Sequence, residues 1–140
     1  MSGDGAAKPQ PMVGHRLQIL AVGVLVLVIV EAVVGETLAS VSGTYPTWLL
    51  VTHIVLALLL VGFGAHVLLR AWRTSRYAAQ LSGVLVFAGV LAATISGAVF
   101  LWAGGSDAAL LGMEVGAGVA AIGALLLLLF GWESLPAVTA

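Results

Sequence analysis

The chain has 140 residues, a net charge of −1 and no cysteine, which leaves room for one domain and excludes disulfides, thiolate metal sites and thiol catalysis. Hydrophobic residues make up 61% and charged residues 8%, against roughly 25% charged in a soluble domain; with a mean hydropathy of +1.18, the chain has too few polar groups to cover itself with a water-compatible surface. No basic run with interleaved aromatics points to nucleic acid.

Residues 1–14, MSGDGAAKPQPMVG, are polar and rich in Gly and Pro, and read as a disordered cytoplasmic tail. The apolar run after them starts too late and extends too far for a cleaved signal, so it reads as a retained helix. Residues 15–132 then form an all-α, polytopic membrane domain of four spans, at about 17–38, 48–70, 79–102 and 108–132, and 133–140 form a second cytoplasmic tail. Each span reaches the 20 or so residues that cross a hydrocarbon core at about 1.5 Å per residue. Breaks fall at Ser42–Pro46, at the basic connector Arg70–Tyr77 and at the turn Gly104–Asp107.

Lys8, Arg16, Arg70, Arg73 and Arg76 all lie on one side of this topology, while the loops 39–47 and 103–107 have no Lys or Arg. The positive-inside rule places both termini in the cytoplasm of a multi-pass cell-membrane protein. Trp48 and Trp102 then fall at the outer interface, and Trp72 and Trp132 at the inner one. Gly112, Gly116, Ala120 and Ala124 recur every four residues, as do Gly89, Ala93 and Gly97. Small residues at this spacing let helices approach closely in lipid. Two uses fit them: packing within one bundle, and a homodimer or larger membrane complex joined through the same stripes.

A two-fold repeat of helix pairs is also visible. Gly35–Gly43 lies 62 residues before Gly97–Gly105, and at an offset of 61 Leu49-Leu50 pairs with Leu110-Leu111, His53 with Glu114, and Gly62 with Gly123. Polar His53 thus falls on polar Glu114.

Ionisable groups inside a span are costly and mark candidate sites. Glu31, His53 and Glu114, with Met113 beside the last, share one depth in the outer leaflet, and Thr94 and Ser96 lie near the same level. Below His53 on its own helix come Ala57 and Gly64, small residues that leave a groove suited to a flat cofactor edge and equally to a close helix crossing. Three readings fit His53: a histidine hydrogen-bonded within the bundle, an axial ligand to haem iron, and a proton relay or ion site with Glu31 and Glu114. His66, 13 residues on, is rotated by about 140° and displaced by about 20 Å. It reads as an interfacial residue, with His15 as its nearest histidine in depth. Haem propionates favour Arg or Lys partners, and the outer loops have none.

The stretch VEAVVGETLASVSGTYPTWLLVTHIVLALLLVGFGAHVLLRAW, residues 30–72, is similar to one helix pair of the haem A synthase family. That family repeats a unit of helix, glycine, short outer loop and a helix opening on a histidine followed by small and apolar residues. The resemblance implies a compact four-helix form of that fold, haem near the outer surface, and His53 at a ligand position. The family's Glu-x-x-His-Arg pattern is missing, and Met113 or Glu114 stands where its partner histidine would be. The implied role is therefore haem b binding, as an electron-transfer or accessory subunit of a respiratory chain, rather than haem oxidation. A rival resemblance is to the small multidrug resistance exporters, four-helix proteins with an essential glutamate in the first helix. It rests on EAVVGETLASVSGTYP and on Tyr77 with Ser82-Gly83, and implies proton-coupled export through Glu31. A cofactor-free structural subunit of a larger complex is the third reading.

Overall fold

The computed structural model describes residues 13–41 and 44–132, with side chains from Arg16 to Phe130. They form four helices, α1 (Val13–Ser40), α2 (Thr47–Trp72), α3 (Tyr77–Trp102) and α4 (Asp107–Trp132). Each is long and apolar enough to cross a membrane. Residues 1–12, 42–43 and 133–140, with most of the first expected tail and all of the second, lie outside the described residues.

The helices run slightly beyond the apolar limits because polar residues satisfy their ends. In α1, Thr37 Oγ1 donates to Val33 O at 2.7 Å and Ser40 Oγ to Thr37 O at 2.8 Å, carrying the helix past its last leucine. Pro46, in extended conformation, opens α2, its carbonyl accepting from the amides of Leu49 and Leu50. At the other end of α2, Thr74 Oγ1 donates to Ala71 O at 2.7 Å and Gln80 Nε2 donates to Thr74 O at 2.9 Å, which ties the short link to the first turn of α3. Gly104 and Gly105 join α3 to α4 with φ of 72° and 92°, left-handed backbone that a residue with a Cβ enters at a cost. The amide of Gly105 reaches back to Phe100 O at 3.0 Å. Ser106 then accepts from Ala109 N at the start of α4.

The helices make a ring in which each packs on the next and α4 returns to α1, without contact across either diagonal among the described residues. Small and β-branched residues fill the middle: Ala21, Val24, Val67, Val86, Ala120 and Ala124 are almost wholly buried, with Leu127 beside them. Apolar side chains also cover the outside, among them Ile29, Val33, Leu58, Ile95 and Leu129, as expected of helices made for a hydrocarbon solvent.

The tightest seam is α3 against α4. A Cβ on Gly89 would sit 2.5 Å from Ala120 N and 2.6 Å from Gly116 O; one on Gly116 would sit 2.5 Å from Ala93 N, and one on Gly123 2.8 Å from Val86 N. The small-residue stripes are thus turned toward each other within one chain. Gly83 makes a similar approach to α2, where an added Cβ would meet that of Ala71 at 2.7 Å.

Charge is divided between the ends. Among the described residues, Arg16, Arg70, Arg73 and Arg76 lie toward the α2–α3 link, and Glu31, Glu36, Asp107 and Glu114 toward the opposite, acidic end. Trp48 and Trp102 are exposed at the acidic end and Trp72 at the basic end, while the side chain of Trp132 is outside the described residues.

Replacing Gly116 by leucine is expected to lower stability by about 1–3 kcal/mol or more, because backbone on α3 must move to admit it. Gly118, with nothing within 4 Å of its added Cβ, should accept leucine with little change. Thermal unfolding of both variants in detergent checks the contrast.

Candidate functional site

A cavity of about 930 Å³ opens between the four helices in the acidic half of the bundle. It exists because the side chains that face it are short: Ala32, Gly35 and Ala39 from α1, Ala57 from α2, Ala93, Gly97 and Ala98 from α3, and Ala117 and Ala120 from α4. Its polar groups are Glu31, Glu36 and Ser40 on α1, His53 on α2, Thr94 on α3 and Glu114 on α4, with the sulfur of Met113 beside them. Among the described residues, no Lys or Arg lines it.

His53 and Glu31 form its centre. Nδ1 of His53 lies 2.9 Å from Oε1 of Glu31, with 13% of the histidine side chain and 14% of the glutamate side chain exposed. The direction of approach is not that of an aligned hydrogen bond, and Oε2 of Glu31 is buried with no hydrogen-bond partner among the described residues. The contact is a close electrostatic one, joining α1 to α2 where a lone carboxylate would be costly.

Two glycines bracket the imidazole. A Cβ on Gly35 would lie 3.2 Å from Cε1 of His53, and a Cβ on Gly97 would lie 3.9 Å from Nε2 and 3.2 Å from Sδ of Met113. The ring therefore occupies space that both helices leave by lacking a side chain, and Nε2 and the thioether approach the same bare stretch of α3. The positions that the repeat pairs, Gly35 and Gly97, serve the same histidine. Gly62 and Gly123 do not correspond in this way: nothing approaches Gly62, whereas Gly123 is pressed against α3.

The polar layer is thus only partly drawn together. Glu31, His53, Met113 and Thr94 line the cavity from four helices, and Glu114 lines it as an exposed residue. Ser96 turns instead to Gly112, where an added Cβ would collide with its Oγ. Ala57 belongs to the cavity wall, but Gly64 is spent on a close crossing with Phe87 and Val90 of α3. His66 is exposed and away from the cavity, and the side chain of His15 is outside the described residues. Tyr77 is exposed at the basic end; Ser82 is buried there, donating to Ala78 O at 2.8 Å. Neither lines the space that Glu31 does. Glu36, which nothing in the sequence marks as a site residue, also lines the cavity. Only its position, five residues after Glu31 and near the same mouth, could have pointed to it.

Among the described residues, no cluster of three or more His, Asp or Glu side chains is arranged to hold a metal ion. A haem iron asks for a different donor set, one or two axial atoms, and Nε2 of His53 with Sδ of Met113 meets that requirement chemically. The propionates would find no cation on the cavity wall. Compared with protein families, curated proteins and solved structures, the chain has no match.

The His53–Glu31 contact should be visible as coupling. In a double-mutant cycle of Glu31→Gln and His53→Ala, unfolding free energies are expected to be non-additive by about 1 kcal/mol. Additivity within about 0.3 kcal/mol would mean that the two side chains are neighbours without energetic linkage.

Proposed function

We propose that the chain is a multi-pass cell-membrane protein, with both termini cytoplasmic, that holds a haem b in the acidic-half cavity and acts as an electron-transfer or accessory subunit. The observation that carries this reading is the placement of His53: Nδ1 set against the Glu31 carboxylate, and Nε2 near the bare backbone of Gly97, which the Met113 thioether also approaches. A carboxylate 2.9 Å from an imidazole favours, by its charge, the binding of a cation at that ring. His53 is the axial ligand in this reading, Met113 the second donor, and Glu31 the group that holds the imidazole. Bound there, the iron would supply one-electron chemistry. Gly35 and Gly97 leave room for the ring, and the short side chains of Ala57, Ala93 and Ala117 leave room for a flat apolar group beside it. The two glycines also fit a chain built from two related helix pairs. Resemblance to a helix pair of the haem A synthase family supports the same assignment.

One observation favours a second reading. Among the described residues, three carboxylates and no cation line the cavity, a lining suited to an apolar cation rather than to an anionic cofactor. In that reading Glu31 and His53 exchange a proton against the cation, as in a small exporter.

Absorption of the purified protein, produced with adequate haem, separates the two. The haem reading expects a Soret band with split visible bands, lost in His53→Ala. In Met113→Leu the Soret band is retained while the low-spin bands weaken and the midpoint potential falls, because a thioether ligand raises it. A colourless protein whose binding of a lipophilic cation is abolished by Glu31→Gln would replace the first reading with the second. Copurification with larger partners and indifference to both changes would point to a structural subunit instead.

A further inference from the structure

The basic end carries a feature that the cavity does not use. Arg70, Arg73 and Arg76 fall within seven residues across the α2–α3 link, Arg16 lies at the same end on α1, and no Asp or Glu among the described residues accompanies them. Arg16, Arg73 and Arg76 are exposed and Arg70 is half-buried. Between and beside them, Trp72 is 58% and Tyr77 77% exposed, amphipathic rings at the ends of helices whose remaining surface is apolar. The link itself is held in shape by the Thr74 and Gln80 hydrogen bonds, so the arginines are presented on an ordered turn.

We propose that this end of the bundle is a docking surface for anionic phospholipid headgroups, with the arginines on the phosphates and Trp72 and Tyr77 seated at the glycerol level. The inference rests on the placement of the four helices in a membrane and is independent of what fills the cavity. Guanidinium groups match phosphate oxygens with paired donors. Each arginine near an anionic surface raises lipid affinity roughly fivefold, within a Debye length. Aromatic side chains at this level anchor the depth of the helix ends. Polar residues alone would fit any headgroup; the positive charge of the described residues at this end selects the anionic ones.

A variant that keeps Trp72 as its lone tryptophan (W48F, W102F, W132F) reports contact with lipid through quenching by brominated lipids after reconstitution. Quenching by brominated phosphatidylcholine establishes seating in the bilayer; its failure overturns the membrane placement itself. The inference expects brominated phosphatidylglycerol to quench Trp72 at about a tenfold lower mole fraction than phosphatidylcholine. That preference should shrink as salt rises and approach unity when Arg70, Arg73 and Arg76 are changed to glutamine. Equal quenching by the two lipids in the arginine-bearing protein, or a preference indifferent to salt, overturns it. Because the salt series needs no arginine variant, a triple variant that fails to fold does not rescue the proposal. A further arm adds inorganic phosphate to the detergent-solubilised protein and follows its thermal unfolding. Stabilisation equal to that given by phosphatidylglycerol would reassign the surface to free phosphate and overturn the lipid docking.

Discussion

Backbone contact between α3 and α4 sets the geometry from which the rest follows. Apolar helices in an apolar surrounding have little reason to choose one face over another, so the choice goes to whichever faces can come closest. Gly89, Gly116 and Gly123 permit an approach at which even a methyl group would collide with main-chain atoms. Beside that seam, Ala93, Gly97 and Ala117 leave short side chains on the cavity wall that α3 and α4 share with α1 and α2. Those helices meet each other through bulkier groups, Phe63 near Gly23 and His53 near Gly35. A tight pair facing a looser pair leaves a space at the level where short side chains coincide, and that space is the cavity.

The cavity in turn defines what Glu31 can do. A carboxylate set inside an apolar helix has few ways to lower its cost, and here it has one neighbour, the imidazole of His53, with its second oxygen left unpartnered among the described residues. Buried pairs of this kind add little to stability compared with an apolar replacement but are expensive to break singly. Such a pair inside an apolar helix marks a candidate site more than a folding contact. Because the pair bridges α1 and α2, whatever alters the hydrogen bonding of His53 acts on both helices of the looser half at once.

Much of the architecture was legible in the sequence, for a physical reason: a span must be about 20 apolar residues long, and there are few ways to place four such runs in 140 residues. The small-residue stripes were legible too, since spacing of four places residues on one helix face whatever that helix meets. The composition of the site was only partly so. Depth follows from counting residues, and it put Glu31, His53 and Met113 at one level. Rotation relative to a neighbour depends on crossing geometry, which the chain does not spell out residue by residue. Gly64 thus looked like part of a groove under His53 and is a packing glycine, Ser96 looked like a member of the polar layer and faces Gly112, and Glu36 looked like a helix end and lines the cavity. That Gly35 and Gly97 would bracket one imidazole could be read only with α1, α2 and α3 in place.

The division of charge between the two ends has an electrical consequence. With the described cations at one end and the described carboxylates toward the other, the described part of the bundle is a dipole along its own axis. A potential of 100 mV across a membrane is worth about 2.3 kcal/mol for each elementary charge carried through it. In an energised membrane, negative on one side, the orientation with the arginines on that side is lower in energy by several times this amount. Glu31 and Glu114, part-way along the axis, each feel a fraction of the same field.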